Sequence, residues 1–302
     1  MSDDFRESCL ESFLRELTYR ERSVATLRDY QSFIRHFFDW LDSKGILLES
    51  VDKQIIKDYI SAQTSTAVTC NSRLRHLKSF FKWLQAESYI ETNPTDGIGF
   101  KKVASKIKDI LKPDEVSRMI AYMQNKKTFQ YKRDAMLMLL LFDTGLRISE
   151  ALGIKLTEIN INSNSIIVTG KGNKMRVVYF GDKTRKALIK YGQLRTKHYP
   201  KTVYLFPSTN PTGCLTPNPV TKRFRDIGLK LFKKRVYAHL LRHSWATLNA
   251  INGMPGPLLQ QALGHTSFDM TRKYLSIVDS KKLGEYYKSN SIVDKELKSS
   301  RE

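Results

Sequence analysis

Apolar residues that recur every three or four positions constrain the fold of this chain more than any other feature. Between Ser23 and Gly45 they form one stripe, Leu27, Tyr30, Ile34, Phe37, Phe38 and Leu41. This spacing places side chains on one helix face, and a glycine directly after the stripe is typical of a helix end. A second stripe at 71–90 comprises Leu74, Leu77, Phe80, Phe81 and Leu84. The first hundred residues therefore predict a helical domain.

The chain of 302 residues is long enough for two domains. A turn-rich stretch ends at residue 100, and the next ten residues contain four lysines and no strong periodicity. We predict a helical domain at 1–100, a basic linker at 101–110, a second domain at 111–280 and a tail at 281–302. In the second domain helical patterns give way at 165–180 to two β-branched runs around a glycine-containing turn, which predicts a β-hairpin. The predicted fold class is mainly α with a small β-sheet, the second domain being α+β.

The charge of the chain indicates a polyanionic partner. Lys and Arg number 51 against 30 Asp and Glu, a formal net charge of +21. Double-stranded DNA is the leading candidate. A membrane partner is not expected because no apolar run approaches 18 residues, so the prediction is a cytoplasmic, nucleoid-associated protein. The three cysteines show no C-x-x-C spacing, which argues against a zinc or disulfide framework.

Two segments carry cations beside their apolar stripes. The first lies at 73–82, where DNA contact and an ordinary solvated helix face are equally open interpretations. The second lies at 218–235, where the density of cations favours DNA contact. The candidate DNA-binding residues are Arg73, Arg75, Lys78, Lys82, Lys222, Arg223 and Arg225.

The stretch HLLRHSWATL at 239–248 admits two interpretations as a site. His239 and His243 share a helix face, as in a zinc-binding H-E-x-x-H motif, but Leu240 replaces the glutamate. His239 and Arg242 also share a face and pair a proton acceptor with a permanent cation, which suits a phosphate. Taken alone, the stretch is better explained as an ordinary surface pair, so the rest of the chain must decide.

Metal-free phosphodiester chemistry needs cations at the nonbridging oxygens, a nucleophile, and an acid for the leaving oxygen. The second domain offers all three. The hairpin lysine does not belong to a phosphate-binding P-loop, because Gly172 follows Lys171 and no helix opens there. The candidates are Arg147, Lys171, His239, Arg242, His265 and Tyr274.

In this order the candidates closely resemble the motifs of tyrosine recombinases of the phage-integrase type, including the Xer-like enzymes. His239 and Arg242 are three residues apart, Arg242 and His265 twenty-three, and His265 and Tyr274 nine. The resemblance covers nearly the whole chain. It implies a SAM-like helical core-binding domain and a catalytic domain that together form a clamp on DNA.

The resemblance also implies a role for each residue. Tyr274 attacks the scissile phosphate and becomes linked to the 3′ end while a 5′-hydroxyl leaves. Arg147 and Arg242 bind the nonbridging oxygens, and Lys171 protonates the leaving oxygen. His239 moves the tyrosine proton and His265 donates to the phosphate. Glu150 is expected to orient a catalytic residue, and His243 to be structural.

By the same resemblance, the enzyme is a site-specific recombinase or integrase that uses neither metal nor cofactor and works through a Holliday junction. A homotetramer would hold two DNA duplexes, each protomer's tail docking on its neighbour. The tail has a short amphipathic pattern, Leu283, Tyr286, Tyr287, Ile292, Val293 and Leu297, although a solvated terminus is an equal alternative.

Two other classes of protein remain as alternatives. Type IB topoisomerases use similar tyrosine and arginine chemistry, but the compact layout with an integrase-like N-terminal domain argues against them. A non-catalytic DNA-binding regulator would need the charge alone, and the complete set of candidate residues argues against it.

Overall fold

The computed structural model describes residues 3–62, 65–103, 109–170, 174–208, 213 and 215–275. The chain divides into two compact units, Met1–Ile107 and Lys108–Glu302. The described part is mostly helical with one three-stranded sheet, which confirms the predicted fold class. Within the described ranges, no helix is long and apolar enough to cross a membrane.

The described part of the first unit contains four helices and a short 3-10 turn at Leu48–Ser50. The helices are α1 (Asp3–Tyr19), α2 (Val24–Lys44), α3 (Lys53–Ala62) and α4 (Ala67–Ala86). The side chain of Ser23 caps α2 by accepting a hydrogen bond from the Thr26 amide, and Gly45 ends the helix with φ of 63°. The predicted stripes of α2 and α4 pack into one core, with Phe37 and Phe80 fully buried. The two amphipathic helices predicted from the sequence are confirmed.

The second unit contains eight helices and the sheet within its described part. The helices are α5 (Pro113–Gln124), α6 (Phe129–Thr144), α7 (Ile148–Gly153), α8 (Asp182–His198), α9 (Pro217–Phe232), α10 (Ala238–Ile251), α11 (Gly256–Leu263) and α12 (Asp269–Leu275). The apolar run of α6 is buried on nearly every side and forms the centre of the core. A smaller apolar cluster joins the last three helices, Trp245, Ala246, Ala250, Leu259, Leu263 and Tyr274.

The sheet is antiparallel, in the order β1 (Ile159–Asn160), β2 (Ser165–Thr169) and β3 (Met175–Tyr179). Ser165 pairs with Tyr179 and Thr169 with Met175, so the predicted hairpin is confirmed. Its tip, 171–173, lies outside the described residues.

A glycine fixes the turn that leads from the core to the site. Gly145 ends α6 with φ of 65°, a conformation that disfavours any side chain with a Cβ. A Cβ at this position would lie 2.7 Å from Cδ2 of Trp245 on α10. The indole is itself held by a 2.8 Å hydrogen bond from its Nε1 to the Asp143 carbonyl. The close approach of α6 and α10 therefore depends on glycine.

Candidate active site

Arg242 is the most deeply buried cation of the candidate set, with 2% of its surface exposed. It lies in the second turn of α10. Its Nη1 donates to the Gly145 carbonyl at 2.8 Å, and its Nη2 donates to the Leu263 carbonyl at 2.7 Å. Burial, with a smaller contribution from the charge of Arg147, lowers the pKa of Arg242 to about 10, so it remains a cation at neutral pH. The fold therefore holds a rigid, desolvated positive charge.

Arg147 and Glu150 form a local pair at the start of α7. The Arg147 amide donates to Oε2 of Glu150 at 2.9 Å, and Nη1 of Arg147 donates to Oε1 at 2.9 Å. The hydrogen bond from the Arg147 amide is half of a capping box, in which the side chain of the third helical residue reaches back to the start of the helix. The Glu150 side chain is 4% exposed, whereas that of Arg147 is 32% exposed. The carboxylate is thus fixed in the interior while the guanidinium reaches the surface.

Arg176 on β3 was not among the residues singled out from the sequence. Its Nη1 and Nη2 donate to the two oxygens of Glu150 at 3.0 and 2.9 Å. Burial alone would raise the pKa of the Glu150 carboxyl, but the contacts with Arg176 and Arg147 outweigh burial and lower it. Glu150 is therefore an anion shared by two guanidinium groups.

Tyr274 lies on α12, contacts the rings of two histidines and is only 2% exposed. Its ring is stacked with that of His265 at a centroid distance of 6.4 Å and tilted against that of His243 at 5.4 Å. Burial raises the pKa of the Tyr274 phenol, and the charge of Arg242 opposes this rise. The tyrosine therefore shares one cluster with two histidines and a cation.

His265 follows Gly264, which ends α11 with φ of 61° and turns the chain toward α12. Its Nδ1 lies 2.9 Å from Oγ1 of the buried Thr271. Burial, then the charges of Arg242 and Arg147, lower the pKa of His265 to about 4. The imidazole is therefore neutral at physiological pH and keeps one N–H to donate.

The structure brings together most of the predicted catalytic set. Burial, then the charges of Arg242 and Arg147, lower the pKa of His265, as expected for groups that share one site. His239 is exposed in the first turn of α10, one turn before Arg242. Lys171 lies outside the described residues. Among the described residues, no group of three or more His, Cys, Asp or Glu side chains could hold a metal ion.

The cations of α4 occupy two different faces. Arg75 and Lys78 each lie 5.6 Å from the ring centroid of Phe100, and Lys82 is exposed farther along the helix. Arg73 is half-buried and donates to Oγ of Ser65 at 3.1 Å. Helix geometry explains the difference, because residues two positions apart point in nearly opposite directions.

The cations of α9 differ in the same way. Lys222 is exposed, and the exposed Arg225 pairs with its neighbour Asp226 at 3.0 Å. Arg223 lies 4.8 Å from the Tyr131 ring centroid and forms an ion pair with Asp134, which is fully buried. Arg223 therefore helps Arg133, whose Nε donates to Asp134 at 2.9 Å, to neutralise an interior carboxylate, a role that the basic pattern of the segment did not suggest.

Comparison with known proteins agrees with this architecture. Residues 109–281 match the model of the phage integrase family, and residues 10–88 match its N-terminal SAM-like domain. A helical SAM-like unit followed by a catalytic unit is the layout of enzymes that cut and rejoin DNA strands. The chain belongs to the phage integrase family and is a tyrosine recombinase, which confirms the resemblance found in its sequence.

Relatives match the chain over nearly its full length. The tyrosine recombinase of Thermosipho africanus is 31% identical over 271 residues, covering 87% of this chain and 92% of the relative. The tyrosine recombinase XerD of Caulobacter vibrioides is 29% identical over 282 residues, covering 90% and 92%. The XerH site-specific recombinase, solved with its palindromic difH substrate after cleavage, has a TM-score of 0.73 and 23% identity over 91% of this chain and 82% of that one. The similarity to XerH shows a shared fold.

Proposed function

We propose that this enzyme recombines specific DNA sites through a covalent 3′-phosphotyrosyl intermediate, with Tyr274 as the nucleophile. The observation that carries the proposal is the cluster of Tyr274, His265 and Arg242 beside the small apolar core of α10–α12. A phenol with a raised pKa is a weak nucleophile unless a base removes its proton or a cation stabilises the phenolate. In this site Arg242 supplies the nearby cation, and His239 is the proposed proton acceptor.

The scissile phosphate would bind between Arg147 and Arg242. Guanidinium groups match the geometry of phosphate oxygens and neutralise the charge that develops during transfer. Arg242 is preorganised by two carbonyls, so it would not need to reorganise as the reaction proceeds. When Thr271 donates to Nδ1 of His265, the imidazole proton lies on Nε2, which could donate to a nonbridging oxygen.

Each cleavage step forms one bond to phosphorus and breaks another, so it needs no external energy source. The Oη atom of Tyr274 forms a bond to phosphorus, and the bond from phosphorus to the 5′-oxygen breaks. Lys171 is the proposed acid that protonates the leaving oxygen. A 5′-hydroxyl from the second duplex then attacks the phosphotyrosine, which releases the tyrosine and joins the strands. Two rounds of this exchange make and resolve a Holliday junction.

The proposed partner is double-stranded DNA, contacted by cations of α4 and α9 such as the exposed Arg75 and Lys222 and the half-buried Lys78. The net charge of +21 supports this partner. Several structural relatives were solved with DNA, including XerH on difH and a lambda integrase dimer on a COC′ core site. For this chain we propose a homotetramer on two duplexes, acting in the cytoplasm on nucleoid DNA.

We further propose that residues 1–100 bind DNA, 101–110 act as a linker, 111–280 catalyse strand exchange and 281–302 dock on a neighbouring protomer. Residues 104–108 and the whole tail lie outside the described part of the chain. The family matches at 10–88 and 109–281 support the assignment of the two larger segments.

The test of the nucleophile is covalent capture on a nicked suicide DNA selected for binding to this protein. Wild-type protein should form an adduct that survives denaturing electrophoresis, and Tyr274→Phe should form none while binding DNA normally. Tyr179→Phe is the matched control, because Tyr179 is 69% exposed on β3 in the same unit. An adduct formed by Tyr274→Phe would assign the chemistry to another residue.

A further inference from the structure

Arg176 connects three parts of the catalytic unit that are far apart in sequence. It lies on β3, and its side chain is 13% exposed. Two of its nitrogens bind Glu150 on α7, and its Nε donates to the Ala262 carbonyl of α11 at 3.2 Å. One planar guanidinium thus fixes the strand, the start of α7 and the end of α11 relative to one another.

The end of α11 is built around this contact. The carbonyl of Ala262 accepts from Arg176, and the next carbonyl, that of Leu263, accepts from Arg242. A Cβ at Gly264 would lie 3.0 Å from Cζ and from Nη1 of Arg176. Two arginines therefore share the negative end of one helix, directly before His265.

Glu150 transmits the position of Arg176 to Arg147. Its Oε1 accepts from both side chains, at 2.9 Å from Arg147 and 3.0 Å from Arg176. Its Oε2 accepts from the Arg147 amide and from Arg176, both at 2.9 Å. A carboxylate bound on two sides has no freedom to rotate, so the guanidinium of Arg147 receives a defined position at the surface.

We propose that Arg176 is a positioning residue for strand cleavage, which holds Glu150 so that Arg147 faces the scissile phosphate. The inference rests on the proposed function, because it requires Arg147 to bind that phosphate. Arg176 itself touches neither DNA nor the nucleophile in this assignment. Because Arg176 acts through Arg147, the loss of cleavage rate on substituting Arg176 should depend on the negative charge of the phosphate. A purely structural ion pair would show no such dependence.

The first experiment measures single-turnover cleavage of a nicked suicide DNA at saturating full-length protein. Arg176→Lys keeps the charge, but an ammonium cannot donate in one plane to both Glu150 oxygens and the Ala262 carbonyl. We expect cleavage to slow by about 100-fold, the scale of a misplacement of about 1 Å, with DNA affinity unchanged. Arg185→Lys is the control, because Arg185 on α8 is 39% exposed and pairs with Asp182 three residues away. Wild-type rates in Arg176→Lys would overturn the proposal.

The second experiment separates positioning from a general structural defect. A methylphosphonate at the scissile position replaces one nonbridging oxygen and removes the negative charge that Arg147 would neutralise. On this substrate the Arg176→Lys defect should shrink about tenfold or more, as should that of Arg147→Ala, because less charge then needs stabilisation. Arg176→Gln should show the same pattern. An equal defect on both substrates would overturn the inference.

Two further results distinguish a defect at the leaving group from a defect in positioning, and failure of this inference from failure of the proposed function. Rescue of Arg176→Lys by a 5′-bridging phosphorothiolate, whose sulfur leaves without a proton, would place the defect at the leaving group and overturn the link to Arg147. A wild-type adduct that is lost in Tyr274→Phe establishes the proposed function independently of Arg176. If wild-type protein forms no adduct, the proposed function fails, and this inference fails with it.

Discussion

Replacing Gly145 by alanine should destabilise the second unit more than any ordinary surface substitution. The residue has φ of 65°, which costs a residue with a Cβ about 1 to 2 kcal/mol. The new Cβ would lie 2.7 Å from Cδ2 and 3.0 Å from Cζ3 of Trp245, and overpacking of this kind costs about 1 to 3 kcal/mol. We expect a total loss of about 2 to 5 kcal/mol in the free energy of unfolding.

Calorimetry can separate the two contributions. For a unit of this size the loss corresponds to a decrease in Tm of roughly 4 to 20 °C. Gly253→Ala is the matched control, because Gly253 also has positive φ, 89°, but nothing lies within 4 Å of its added Cβ. It should lose only the backbone contribution, about 1 to 2 kcal/mol.

Removing the Trp245 indole tests whether steric contact with it causes the extra loss of stability. In a Trp245→Ala background the Gly145→Ala cost should fall to the backbone contribution, because the ring that the Cβ meets is gone. An unchanged cost in that background, or equal costs for Gly145→Ala and Gly253→Ala in the wild type, would refute the reasoning. Strand cleavage should also slow in Gly145→Ala, because the Gly145 carbonyl anchors Arg242.

Four further predictions concern the chemistry and the assembly. Lys171→Ala should cripple cleavage of ordinary DNA and recover on a 5′-bridging phosphorothiolate, whereas equal defects on both would remove Lys171 from the acid role. Cleavage should continue in EDTA, since arginines replace the metal ions of other phosphoryl-transfer sites; strict metal dependence would contradict this. The pKa of His265 is about 4 when folded and ordinarily about 6.5, so the unfolded chain binds more protons between these values and stability should fall as pH drops through that window. Melting curves of His265→Gln should show a weaker dependence on pH there, and parallel curves would contradict the assignment. Deleting residues 282–302 should preserve binding to a half-site, measured by gel shift, but abolish recombination between two duplexes; normal recombination would show that the tail does not dock.

The sequence correctly predicted the helices and the hairpin whose formation depends on residues close together in the chain. The stripe of α2, the glycine that ends it and the hairpin at 165–180 follow from spacing and turn chemistry. The opposite orientation of Arg73 relative to Arg75 was also available from helix geometry, since residues two apart do not share a face.

Contacts between distant segments could not be predicted in this way. Arg176 is one of many cations in the sequence, and its partners Glu150 and Ala262 lie 26 and 86 residues away. Arg223 pairs with Asp134, 89 residues away, although a carboxylate just ahead of an apolar run was a signal that it needed a partner. The positions of such pairs depend on how helices pack, which a single sequence does not specify.

The anchoring of Arg242 implies that this protein sacrifices stability for function. In the described part of the chain, its guanidinium hydrogen-bonds to the neutral carbonyls of Gly145 and Leu263 while being almost fully buried. The charge of the Glu150 carboxylate offsets part of the desolvation cost of this buried cation, and an anion from outside is the counter-ion that would relieve the rest. An apolar residue of similar length, as in Arg242→Met, could therefore yield a more heat-resistant protein that no longer reacts with DNA. Selection for thermostability alone would then tend to remove the residue on which the proposed chemistry depends.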